Sequence, residues 1–233
     1  AKGNPLQLVL STVYFLDAPT GNMDIHVFEE LKKHEDVTAA FPIGMGDSYK
    51  GYRIVGTTPD LMNFSYGDRS PYTLVEGRYF EKPFEVVVGA NVAQDTGLTL
   101  GSTFVGTHGF VDSPYAEAHE DKPYTVVGIL ARSGSPNDRA VFCDIQSVWG
   151  AHDHGEESDH EHGEACEHHA GDEITAALIK LASPALRFEF KDTVNRNYNA
   201  MAAVPIQEIQ KLYEQLLGIA KLVLLVIGYL VVA

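Results

Sequence analysis

Residues 85–104 read EVVVGANVAQDTGLTLGSTF, and the local grammar of this stretch sets the fold class. Phe84–Val88 is a short β-rich run that ends at a glycine, which predicts a strand. Asn91–Thr96 fits one short helix. Gly97 stops it, because glycine enters the left-handed region at a helix C-terminus without a steric penalty. A second strand follows at Ser102–Gly106. Outward from this core the same texture continues, with strands expected at Tyr72–Val75, Tyr124–Leu130 and Ala140–Cys143 and a turn-rich link at Thr107–Lys122. Strands this short, separated by Gly and Pro from Pro59 onward, predict a β-rich module over residues 59–150.

The chain on either side has a different texture. Residues 1–20, with Pro5 and Pro19, read as an extended segment with turns. Asn22 suits a helix N-cap, Ile25, Phe28 and Leu31 follow at helical spacing, and Lys32 and Lys33 complement the dipole at the far end. Val37–Ile43 reads as a strand, Gly44-Met45-Gly46 as a hairpin turn and Tyr49–Thr57 as a second strand. Ile174–Leu181 (ITAALIKL) predicts a strand and Pro184–Asn195 a helix. The expected architecture is α+β: residues 1–58 and 174–215 form one α+β domain, and the β-rich unit is inserted between them.

Ile206, Ile209, Leu212, Tyr213 and Leu216 fall at helical spacing and lead into Leu216–Ala233, LLGIAKLVLLVIGYLVVA, where 15 of 18 residues are apolar. As a helix this run is about 27 Å long, close to the roughly 30 Å hydrocarbon core of a bilayer. Only Lys221 interrupts it and no polar stripe remains, so residues 216–233 read as the start of a transmembrane helix, with a buried core helix as the competing reading. The run ends without a basic flank and AKGNPLQLVL opens without a signal-peptide pattern, so both termini read as cut edges.

The composition contains one anomaly. The 233 residues hold 32 acids and 17 bases, a formal charge of −15, which argues against nucleic acid and anionic membrane surfaces as partners. Nine of the acids lie in residues 151–173, AHDHGEESDHEHGEACEHHAGDE, which contain no Lys or Arg; the other 210 residues carry only −6. This segment has almost no bulky apolar residue with which to bury a core and is expected to be a mobile loop. It also holds six of the ten histidines. Imidazole and thiolate are the usual zinc ligands and also suit copper and nickel, which makes His152, His154, His160, His162, Cys166, His168 and His169 candidate metal ligands. Irregular spacing and Gly155, Gly163 and Gly171 point to flexible capture instead of a rigid tetrahedral site; a solvated insert without a role is the bland alternative. Cys143 and Cys166 are the only cysteines, so at most one bridge forms.

Phosphate cradles and nucleophile motifs are missing. No G-x-x-x-x-G-K-[ST], G-x-S-x-G or H-E-x-x-H is present, and Ser133–Asp138 (SGSPND) is turn chemistry. No enzymatic activity is expected of the chain.

GTTPDL (56–61), LVEGRYF (74–80), EVVVGANVAQDTGLTLGSTF (85–104) and YTVVGIL (124–130), followed by an amphipathic helix entering an apolar run, together resemble the extracytoplasmic domain of MacB/FtsX-type ABC transporter permeases. The resemblance covers nearly the whole chain, and EGR-F, VVVG-x-x-V-A with its following G-x-x-x-G, and VVGIL are its most specific parts. It implies a porter-like α+β part, a sabre-like β-rich insertion, a permease homodimer in the bacterial inner membrane and a periplasmic position for this domain. It also implies a separate cytoplasmic ATP-binding subunit whose hydrolysis drives substrate movement or mechanical work, with no required cofactor. The histidine-rich insert departs from the family pattern. Zn²⁺ or another transition metal on that loop, with a role as a metal-binding or metal-sensing module in zinc homeostasis, is the alternative function.

Overall fold

Valines at 86, 87 and 88 are all fully buried, so their strand needs packing on both faces, and the architecture is organised around that demand. The computed structural model describes residues 3–65, 70–109, 122–152 and 173–232, without the side chains of residues 152, 226 and 228–232. In chain order the helices and strands are α1 (Pro5–Thr12), β1 (Met23–Asp24), α2 (Ile25–Lys32), β2 (Val37–Ile43), β3 (Asp47–Tyr49), β4 (Tyr52–Thr57), α3 (Pro59–Met62), β5 (Leu74–Gly77), β6 (Glu85–Val88), α4 (Ala90–Thr96), β7 (Thr103–Phe104), β8 (Thr107–His108), β9 (Tyr124–Leu130), β10 (Ala140–Asp144), α5 (Ile145–His152), β11 (Glu173–Ile174), β12 (Ala176–Leu181), α6 (Arg187–Asn197) and α7 (Pro205–Val232).

One large mixed sheet runs β5-β9-β6-β10-β4-β3-β8, with β7 also paired to β9. Its centre is parallel where β10 meets β4 and β6 meets β9, and antiparallel where β10 meets β6. Alternation divides its side chains between two cores. Ile54, Val86, Val88, Tyr124, Val126, Val141 and Cys143 face one side, covered by Val92 and Leu98 around α4 and by Val148 of α5. Val55, Val87, Leu130 and Phe142 face the other, where they meet Phe41, Ile43, Ala176 and Leu178 of a second, two-stranded sheet, β2-β12. The far face of that small sheet is covered by Leu31 of α2 and by Phe190 and Val194 of α6. The result is four layers: helices, large sheet, small sheet, helices.

Several elements differ from sequence expectation. The first twenty residues contain a helix, α1: Asn4 caps it by accepting from the Leu6 N–H at 2.9 Å, and Pro5 occupies the first turn, where its missing N–H costs nothing. Asp24, not Asn22, caps α2, accepting from the His26 N–H at 2.7 Å. Gly44–Gly46 is not a hairpin turn, for β2 pairs with β12 while β4 pairs with β10 and β3. The tight hairpin lies within the expected second strand, joining β3 to β4 through Lys50 (φ 47°) and Gly51 (φ 77°), the paired left-handed turn that matches strand twist. Membership of β3 and β4 in the large sheet means that the sheet continues across the expected boundary at residue 58. Ile54 and Val55, buried on opposite faces, require neighbours that only the strands after residue 59 provide. Residues 145–152, assigned no element from sequence, form α5.

The last helix, α7, is continuous for 28 residues and packs its start against α1. Leu216, Leu217, Ile219, Leu222–Leu225 and Ile227 along it are exposed. Among the described residues no helix is long and apolar enough to cross a membrane.

Candidate functional site

The residues that carry the resemblance are architectural. Arg78 of the EGR triplet donates from Nη1 and Nη2 to the two carboxylate oxygens of Glu85 at 2.8 and 2.6 Å, and the Glu81 N–H donates to the same carboxylate at 2.9 Å. These bonds hold the Glu85 carboxyl at about 2, well below the usual carboxylate range, the Arg78 bond contributing most. Gly77 takes φ 81°, and a Cβ there would lie 2.2 Å from the Val127 carbonyl oxygen; a Cβ on Gly128 would lie 2.2 Å from that of Arg78. Two glycines thus let β5 and β9 approach closely, and Phe80 closes the motif by burying its ring.

Gly89, which ends the VVVG run, is demanded by the same logic: a Cβ would meet the Asn137 carbonyl oxygen at 2.3 Å. The turn pressed against it is built on Asp138, whose carboxylate accepts from the Ser133 and Gly134 N–H groups at 2.9 and 2.8 Å and from the Ser133 hydroxyl at 2.8 Å. Burial would push the Asp138 carboxyl up, but those bonds outweigh it and hold it below its ordinary value. The SGSPND segment is therefore a self-contained structural turn, as its sequence predicts.

The described ends of the segment that holds the candidate metal ligands meet at one corner. The backbone of His152 ends α5, while His154, His160, His162, Cys166, His168 and His169 lie outside the described residues. What is described is how the two ends of that segment are tied. The Trp149 Nε1–H donates to the Glu173 carbonyl at 2.9 Å, Asn22 Nδ2 donates to the Glu173 carboxylate at 3.0 Å, and β11 pairs with β1. Lys122 Nζ donates to the Gly150 carbonyl beside the same corner. Among the described residues no three His, Cys, Asp or Glu side chains converge as a metal group. Cys143 is a free thiol inside the large sheet, its Sγ 3.8 Å from the Val55 carbonyl oxygen, with burial pushing its pKa far up. A thiol held in that interior is protonated and inert.

Two features were not anticipated from sequence. Asp47 is fully buried, with Oδ1 3.7 Å from His108 Nδ1, a contact made by the pairing of β3 with β8. Neither residue sits in a recognisable motif, and Asp47 and His108, distant in sequence, meet only through that pairing. The other is a groove of about 760 Å³ along β12, walled by α1 on one side and α6 on the other and lined also by residues 200–205. Its apolar lining and size fall in the range of ligand sites.

These features describe a scaffold whose motif residues brace strands and whose groove along β12 is largely apolar. Residues 7–196 match the model of the MacB-like periplasmic core domain family, and the chain belongs to that family. It is accordingly the periplasmic domain of a MacB-like ABC transporter permease. No curated protein sequence matches it. Among solved structures it is similar to the extracellular domain of the noncanonic ABC-type transporter YknZ from Gram-positive bacteria, at 12% identity over 73% of this chain and 79% of that one, with a TM-score of 0.45. It is also similar to the periplasmic region of MacB from Actinobacillus actinomycetemcomitans, at 11% identity over 74% and 73% of the two chains, again with a TM-score of 0.45.

Proposed function

We propose that this domain couples ATP hydrolysis by a cytoplasmic subunit to movement of a substrate or to mechanical work in the periplasm, within a homodimeric permease of the inner membrane. The observation that carries this reading is the family match over residues 7–196, joined to an unbroken α7 that leaves the domain as an exposed apolar helix. In this reading residues 216–233 enter the bilayer. The anchorage of α7 at its base suits it to carry motion: its start packs on α1, and Glu208, almost fully buried there, accepts from Lys211 Nζ at 2.8 Å. The test is genetic and mechanical. Loss of the partner ATP-binding subunit reproduces the phenotype of losing the permease, and Gly218→Pro, which kinks α7 above its anchor, gives the same phenotype while the protein still accumulates in the membrane. Distinct phenotypes for the two deletions overturn the coupling.

A second reading is supported by donor chemistry alone: the segment with His152, His154, His160, His162, Cys166, His168 and His169 binds Zn²⁺ or a similar transition metal, in a role of metal supply or sensing. Titration calorimetry with zinc on the full chain, with and without residues 153–172, tests it. Heat that disappears with the segment supports it, and equal heats sink it. Because neutral imidazole is the ligand, affinity falls below about pH 6.5.

A further inference from the structure

Every residue from Thr175 through Ser183 lines the groove beside β12. A strand that shows a face to a cavity contributes alternate residues, since successive side chains point to opposite sides. Nine consecutive residues can all line one cavity only when the strand is presented edge-on. The sheet topology agrees, for β12 pairs with β2 along one edge and, among the described residues, with no strand along the other. The open edge therefore looks into a slot with an apolar wall on each side. Leu8 and Phe15 belong to the core on the Leu178 face, and Phe190 and Val194 belong to the core on the Ile179 face. A six-residue apolar strand, AALIKL, with an open edge is the arrangement natural sheets cover or blunt.

The charge of the slot differs from that of the chain. The chain carries 32 acids against 17 bases, yet the described residues lining the groove include Lys180, Arg187 and Lys191 and no Asp or Glu. All three cations line the groove, Lys180 on β12 itself, with its Nζ over the Phe64 ring, and Arg187 and Lys191 one turn apart on α6. An apolar slot that offers backbone hydrogen-bond groups along its floor and positive charge at its rim fits a specific occupant. From this we infer that the groove captures an extended polypeptide segment of a partner protein, apolar along its length and acidic at its ends, which pairs with β12 as an added strand.

Two outcomes separate this from other occupants. The probe is a dye-labelled, capped peptide of alternating valine and threonine with glutamate at both ends, titrated onto the full chain in lipid nanodiscs and followed by fluorescence anisotropy. The expected result is saturable binding, roughly tenfold weaker for the same peptide ending in lysines and lost when alternate peptide nitrogens are methylated. The double variant Arg187→Glu/Lys191→Glu reverses the preference, so that the lysine-ended peptide now binds better; this gain shows that the variant is folded. Hydrogen exchange slows roughly tenfold or more at saturating peptide for those 176–181 amides that point away from β2, because an added strand gives them hydrogen-bond partners. The proposal is overturned if the methylated peptide binds as well as the parent, if the exchange of those amides is unchanged, or if no peptide binds. It is equally overturned if dodecanoate occupies the groove while the peptide does not, or if a second copy of the chain fills it, seen as concentration-dependent protection of the same amides without peptide.

Discussion

The large sheet and the small sheet solve the same burial problem with opposite degrees of closure. In the large sheet the central strands have neighbours on both edges and cores on both faces, and the residues of the family motifs are spent on closing gaps between them. The small sheet is also packed on both faces, by the large sheet and by α2 and α6, but β12 keeps one edge open along a groove. Packing on the faces makes β12 part of the core; the missing neighbour makes it available. Stability and recognition are thus assigned to adjacent layers of one molecule, which share a core through Phe41, Ile43 and Leu178.

The sharpest way to break the comparison is through the close approach of β5 and β9. Gly128→Ala would drive a Cβ into the Arg78 carbonyl, and we expect a loss of about 4 kcal/mol or more, measured as a drop in the urea midpoint. If the small sheet outlived the large one in that variant, with the 176–181 amides still protected, the shared core would not couple the layers. Phe190→Ala should act the other way round. It empties the far face of the small sheet at a cost of about 3 kcal/mol and speeds exchange at 176–181 while leaving Val86–Val88 protected.

The Arg78–Glu85 pair sharpens the large-sheet side. Arg78 is nearly half exposed, so solvent screening keeps the cost of Arg78→Ala small in the same urea titration. The sign with pH follows from the depressed carboxyl. The pair's contribution is fully present above the unfolded carboxylate pKa near 4.5 and is lost as pH falls toward 2. Glu85→Gln should therefore flatten the acid limb of stability between those limits in urea titrations at graded pH. Asp24→Ala, which removes the α2 cap, should cost about 1 kcal/mol by thermal melting. Arg187→Glu/Lys191→Glu should change stability by no more than about 0.5 kcal/mol, because both side chains lie at the rim of the groove and not in a core.

Local chemistry made much of the fold legible. The strand expected at Tyr124–Leu130 is β9 residue for residue, and Gly97, expected to stop the helix, sits at φ 75° as its C-cap. The α1 cap was legible too, in the Asn4-Pro5 pair, but two prolines in an apolar stretch masked it. Pairing was not legible. Nothing in Ala140–Cys143 says that it lies parallel to β4, because strand partners are selected by burial summed over the whole chain. The groove was hidden for the same reason: ITAALIKL reads as a strand, and an open edge is a property of what fails to pair with it.

The sequence by itself determined the α+β class, the short strands and their turns, the apolar C-terminal run, the concentration of charge and histidine in residues 151–173 and the family motifs. All of these depend on spacing along the chain and on side-chain chemistry. Tertiary structure decided that the motif glycines and the Arg78–Glu85 pair are braces, that Asp47 meets His108, and that three cations line one groove in an acidic chain. Those are relations between residues distant in sequence, and they exist only once the layers have packed.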